Sequence, residues 1–247
     1  MNVLIVHAHP EPLSFSSALC GTAADHLRAQ GHVVKVSDLY AKGFNPVASG
    51  EDFTHRHDPD YLVYALEQRQ AHEGGTLAPD IQKELAKLLW CDLLILSFPL
   101  YWCSVPAMLK GWIDRVLVSG VTYGGKRFYD RGGLAGKQAM LMLTLGGQAH
   151  MFAPDGVHGP LDDMLKHLQQ GTLAYTGMSV LPAFVGWHVP YIGDDARQQL
   201  LDDCRAHLDR IGSLTPLGMP ELGVEIAQLR PLHSASMAAQ VAAATEA

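Results

Sequence analysis

The sequence predicts an α/β protein in which a five-stranded parallel sheet carries helices on both faces. Three observations predict it. Short apolar runs rich in β-branched residues alternate along the chain with stretches of helical apolar spacing, the signature of β-α-β crossovers. One run, Asp92 to Phe98 (DLLILSF), is almost continuously apolar, as a parallel strand covered on both sides requires. Of 247 residues, 48% are hydrophobic and 17% charged, which supplies a core and excludes a disordered composition.

The elements follow in order. Asn2 to His7 (NVLIVH) reads as the first strand, and the polar AHPEPLSFSS after it reads as a loop. Ser14, Ser16 or Ser17 can cap a helix that runs to about Ala29 and stops at Gly31. His32 to Leu39 alternates and gives a second strand. Tyr40 to Gly75 is an irregular excursion with a helical second half. Ile81, Leu85, Leu88 and Leu89 share one face of a helix opened by Pro79, and the central strand Asp92 to Phe98 follows. Pro106 suits a first helical turn, after which Met108, Leu109, Trp112, Ile113, Val116 and Leu117 repeat at helical spacing. A glycine-rich loop from Ser119 to Gly136 leads to a fourth strand ending at Gly146 and Gly147. A helix over DMLKHLQQGTLAYTG, a fifth strand SVLPAFVG and a helix DDARQQLLDDCRAHLDRIG complete the alternation. Residues 1–217 are expected to form one domain, and residues 218–247 a mobile C-terminal extension.

Eighteen basic against 25 acidic side chains give a net charge of −7, which argues against a nucleic-acid surface. The uncharged stretch Leu93 to Leu109 carries two prolines and is too short for the roughly 20 apolar residues of a membrane span. No basic leader precedes an apolar run, so a cytoplasmic protein is expected. Cys20, Cys91, Cys103 and Cys204 are scattered without a CxxC pair and are expected to be reduced. His55, His57, Asp58 and Asp60 invite a metal reading but lack ligand spacing, so a solvated loop and no metal are expected. His7 is expected inside, and Lys110, Asp114 and Arg115 on a solvated or intersubunit face.

Open parallel sheets bind ligands beyond the carboxyl ends of their strands, where strand order reverses. That rule selects His9 to Ser17, Pro99 to Ser104, and Thr144 to His158. The serines and first-turn amides of the first loop suit a phosphate, although simple capping would explain the serines equally well. Tyr101 and Trp102 place two aromatics where an apolar strand surfaces, which suits a planar ring. Gly146 and Gly147 let amides approach a ring edge, and His158 suits proton delivery. Neither GxGxxG nor GxxxxGK[ST] occurs, so a Rossmann fingerprint or P-loop is unsupported.

Four stretches together resemble the flavodoxin-like NAD(P)H quinone dehydrogenases of the DT-diaphorase type. They are HAHPEPLSF (His7 to Phe15), SDLYAKGFNP (Ser37 to Pro46), FPLYWCSVPAMLKGWIDRV (Phe98 to Val116), and Gly146-Gly147 with GVHG (Gly156 to Gly159) downstream. The resemblance implies a homodimeric flavoprotein that passes two electrons from NADH or NADPH to a quinone. It implies that His9, Ser14, Phe15 and Ser16 hold the phosphate and adenylate side of the flavin, with Arg197 near the adenine. Pro99, Leu100, Tyr101, Trp102 and Cys103 would lie along the ring, and Thr144, Leu145, Gly146 and Gly147 would face its polar edge. Tyr123, Phe128, Phe152 and Tyr175 would wall the substrate pocket, with Tyr123 and Phe128 contributed across the dimer.

The chain departs from the family pattern in three places. Phe152 stands where the family has a tyrosine paired with the histidine matched by His158, which leaves His158 and the Gly147 turn as the expected catalytic groups. Gly125 replaces a pocket aromatic, and the C-terminal extension is shorter. The Tyr40 to Gly75 excursion favours FAD, because smaller relatives that use FMN lack it. Those relatives, FMN-dependent azo or nitro reductases and flavin-bound regulatory subunits of potassium efflux systems, supply the alternative reading.

Overall fold

The computed structural model describes residues 1–222. Most of the expected C-terminal extension, 223–247, lies outside the described residues, so its expected mobility is not addressed. The elements are β1 (Asn2–His7), α1 (Phe15–Ala29), β2 (Val33–Asp38), α2 (Tyr64–Gly74), α3 (Pro79–Trp90), β3 (Leu93–Pro99) and α4 (Ala107–Val116). Then come β4 (Gln138–Thr144), α5 (Leu161–Leu168), β5 (Ser179–Val180), β6 (Phe184–Gly186) and α6 (Asp194–Asp209). All pairings among these strands are parallel, in the order β2-β1-β3-β4-β5, with β6 also on β4.

Alternation along the strands divides the core in two. Leu4 and Val6 of β1, Leu94, Leu96 and Phe98 of β3, and Leu141 and Leu143 of β4 pack toward α3, α4 and α5. Val3, Ile5, Leu93, Ile95, Met140 and Met142 pack toward α1 and α6. Every residue of β3 is buried, as its unbroken apolar run requires.

The expected fifth strand is two short pieces, because Leu181-Pro182-Ala183 interrupts it and proline has no amide for the ladder. Both pieces still pair with β4, so the fifth lane of the sheet survives as a broken strand. Helix α5 ends at Leu168 and continues as a π-turn over Gln169–Ala174, a change that apolar spacing alone does not signal. Pro106 is the N-cap residue of α4, one position before the first turn.

The excursion after β2 is fastened to the body by a buried ion pair. Arg115 was expected on a charged face, but it is 3% exposed and donates through Nε (3.0 Å) and Nη2 (2.8 Å) to Asp52 Oδ1. Its Nη1 reaches Asp80 Oδ2 and the Asn45 carbonyl, each at 2.7 Å. Helical spacing placed Arg115 beside Lys110 and Asp114, yet its face turns under the excursion. Lys110 and Asp114 remain an exposed pair at 2.7 Å. Tyr64 also donates to Asp52, and Gln68 Nε2 donates to the Asp114 carbonyl at 3.2 Å. Gly111 permits the docking, because a Cβ there would sit 2.1 Å from the Pro46 carbonyl oxygen. Cys20, Cys91 and Cys204 are buried free thiols, and burial pushes Cys91 up to about 11. Among the described residues no helix is long and apolar enough to cross a membrane, and no group of three or more His, Cys, Asp or Glu side chains could hold a metal ion.

Candidate active site

Strand order reverses between β1 and β3, and both open their loops at the same end of the sheet. The loops after β1, β3 and β4 meet there in a slot of about 330 Å³. Register brings them together: Pro99 at the tip of β3 lies beside Thr144 at the tip of β4, and the Leu100 amide donates to the Thr144 carbonyl at 2.8 Å. The slot is lined by His9, Ser14, Phe15, Ser16, Pro99, Leu100, Tyr101, Thr144, Leu145 and Gly146, all expected from the sequence. Val189 and Pro190, which were not expected, complete the wall.

Helix α1 begins at the floor of the slot. Ser14 caps it, accepting from the Ser17 amide at 3.1 Å, so the first-turn amides of Phe15 and Ser16 have no helical carbonyl to donate to. Aligned with the helix dipole, these donors suit an anion. Ser14 is therefore taken by the cap, and the Phe15 and Ser16 amides are the groups left for an anion. Ser16 Oγ lies 2.7 Å from Thr144 Oγ1 and ties the β1 and β4 loops. Beneath the floor, His7 is 3% exposed, with Nδ1 3.0 Å from Ser97 Oγ and Nε2 3.1 Å from Ser17 Oγ. Burial holds its pKa below the usual histidine value, against the opposing charge of Asp38.

The β3 loop is a tight turn in which Tyr101 and Ser104 exchange backbone hydrogen bonds at 3.0 Å. That turn forces Trp102 (φ 50°) and Cys103 (φ 59°) into the left-handed region, which is costly for side chains with a Cβ. Trp102 is 99% exposed at the turn's tip, and Cys103 is exposed beside it. Neither lines the slot of the single chain.

The β4 loop presents amide edges. Among the described residues the Gly146 and Gly147 amides donate to no protein acceptor. The turn is braced from behind by the segment after β6, where His188 donates from Nδ1 to the Gly146 carbonyl at 2.8 Å and from its amide to the Gly147 carbonyl at 2.9 Å. His188 (φ 58°) was missed from the sequence, although the strand-end rule applied to the fifth lane would have selected the loop that holds it. Phe152 packs 4.9 Å from the His158 ring and 5.5 Å from Trp187, centroid to centroid. A Cβ on Gly147 would meet Phe152 Cε2 at 2.6 Å.

The remaining expected residues lie apart from the slot. Tyr123 and Tyr175 (6.0 Å between centroids) and Phe128 and Tyr175 (5.6 Å, stacked) form a separate aromatic cluster with Tyr129. Arg197 sits in the first turn of α6 and pairs with Asp194 at 3.0 Å. The slot offers an anion floor, apolar walls and a strip of free amides, the donor set of a planar ring carrying a phosphate tail.

Comparison with known proteins gives a family model and several quinone dehydrogenase relatives. Residues 1–209 match a family model described as having a flavodoxin-like fold. The chain is 42% identical over 216 residues to ribosyldihydronicotinamide dehydrogenase (quinone) of Mus musculus, covering 87% of this chain and 94% of that one. It is 40% identical over 215 residues to NAD(P)H dehydrogenase (quinone) 1 of Rattus norvegicus, covering 87% and 78%. A crystal structure of a Klebsiella pneumoniae protein provisionally assigned as a quinone reductase superposes with a TM-score of 0.83 at 38% identity, covering 87% and 86%.

Proposed function

The chain belongs to the flavodoxin-like NAD(P)H quinone dehydrogenase family, and from that premise we propose that it is a flavin-dependent NAD(P)H:quinone oxidoreductase acting as a homodimer with shared active sites. The observation that carries the proposal is the strand-tip slot, with its phosphate floor at α1 and its free amides at Gly146 and Gly147. When bound, a flavin would supply two-electron redox chemistry between NADH or NADPH and a quinone.

The chain's own residues bind, orient and neutralise. Ser14, Phe15 and Ser16, with His9, would hold the phosphate, and Pro99 to Tyr101 would line the ring. Gly146 and Gly147 would donate to its polar edge, and His158, exposed beside Phe152, would stand near that edge to offset charge there. Phe152 carries no hydroxyl, so it orients the His158 ring by packing alone. His188 acts behind them by fixing the turn.

The aromatic cluster of Tyr123, Phe128 and Tyr175 lies outside the slot of its own chain, so it is available to close the slot of a second copy. FAD is the proposed form of the flavin, because the docked excursion is the insert that the FMN-using relatives lack. It also holds buried guanidinium nitrogens, Nε and Nη2 of Arg56 and Nε of Arg69, with no partner among the described residues.

The test is anaerobic reduction of the purified protein by NADPH, NADH and ribosyldihydronicotinamide in turn, followed by addition of a benzoquinone. Bleaching by one of the donors and full recovery with one equivalent of quinone are expected. Tight capture of a membrane transporter with negligible turnover would overturn the proposal in favour of a regulatory subunit.

A further inference from the structure

A cavity of about 890 Å³, larger than the strand-tip slot, opens against β2 and α3 and shares no lining residue with that slot. Four lysines line it: Lys35 from β2, Lys42 from the turn after β2, and Lys83 and Lys87 from α3. The two acids of the lining are already committed. Glu84 is 4% exposed, and its Oε1 accepts from Lys42 Nζ at 3.1 Å and from Lys87 Nζ. Its Oε2 accepts from Trp112 Nε1 at 3.2 Å. Asp80 accepts from Arg115 Nη1 at 2.7 Å.

One buried carboxylate therefore holds two ammonium groups in fixed positions, and the Ser37 hydroxyl accepts from both, at 2.9 Å from Lys42 and 2.8 Å from Lys87. Lys35 is fixed at the rim, with Nζ 3.9 Å over the Trp90 ring. Burial and the neighbouring charge of Lys42 hold the Lys87 pKa below its usual value even though Glu84 opposes them, as expected where positive charge is in surplus. Glu84 offsets only one of the two partly exposed ammonium groups it holds, and Lys35 and Lys83 are left over. An anion arriving from solvent would balance the group.

We propose that this cleft is a second ligand site, for a small organic phosphate whose phosphate engages Lys42, Lys83 and Lys87 and whose apolar body lies on Pro79 and the edge of Phe44. Lysine binds phosphate as a point charge, and a phosphate monoester brings −1.5 to −2 charges to a cleft in surplus by a similar amount. The concave shape and apolar wall favour a small molecule over a nucleic acid, as does the chain's net charge of −7.

The test is calorimetric titration of the protein, isolated with its bound cofactor, using phenyl phosphate, inorganic phosphate and phenol. Phenyl phosphate is expected to bind more tightly than either of its halves. The exposed double variant Lys35→Glu with Lys83→Glu is expected to weaken it by about tenfold or more while leaving quinone turnover unchanged. Equal binding by inorganic phosphate would overturn the organic body. No binding of either phosphate, or undiminished binding by the variant, would overturn the site, and each result is read independently of turnover.

Discussion

Replacing Arg115 by methionine removes the cation that joins the Tyr40 to Gly75 excursion to the sheet domain. Asp52 is 1% exposed and would keep the Tyr64 hydroxyl and the Ser49 amide (3.3 Å) while losing both guanidinium bonds. Breaking a buried pair by deleting one partner costs about 3–5 kcal/mol, because the surviving charge stays in a poorly solvating site. For a chain of this size that corresponds to a fall in Tm of about 6–20 °C. Urea unfolding followed by circular dichroism measures the loss. The double variant Arg115→Met with Asp52→Leu, which removes both charges, should recover more than half of it. A loss below about 1 kcal/mol in the single variant, or no recovery in the double, would refute the reasoning that buried charge fastens the excursion.

Three further substitutions probe the floor of the slot, the docking glycine and His158. Burial lowers the His7 pKa, so below about pH 6.5 the unfolded chain takes up a proton that the native state refuses, and stability falls as pH drops through that value. His7→Gln should flatten this slope between pH 7.5 and 5.5 in urea midpoints; identical slopes would remove the assignment. Gly111→Ala should cost about 1–3 kcal/mol by driving a methyl group into the Pro46 backbone, and an unchanged midpoint would show that this contact yields freely. His158→Ala should slow the bleaching of the protein by NADPH on the order of 100-fold in stopped flow, and parental rates would exclude the charge-neutralising role.

Much of the architecture was legible because each element obeys its own period. The unbroken apolar run of β3 and a serine cap for α1, offered by Ser14, Ser16 or Ser17, follow from local rules alone. The slot was legible because a parallel sheet presents its ligand at the strand tips, which made the sequences after β1, β3 and β4 the places to look. What the sequence hid was non-local. Arg115 reads as one more charge on an amphipathic helix until Asp52, 63 positions away, turns beneath it. His188 occupies a short loop without periodicity, and its role arises from a carbonyl 42 positions earlier. Pro182 was visible in the fifth strand, but that both halves would still pair with β4 depends on the register of β4 and cannot be read locally.

The central claim is that a flavin ring lies across the tips of β1, β3 and β4. An absorbance spectrum of the purified protein, with the mass of whatever denaturation releases, tests it most directly. The account predicts a yellow protein with a flavin spectrum, one cofactor per chain and the mass of FAD. A colourless preparation that takes up neither FAD nor FMN would contradict it.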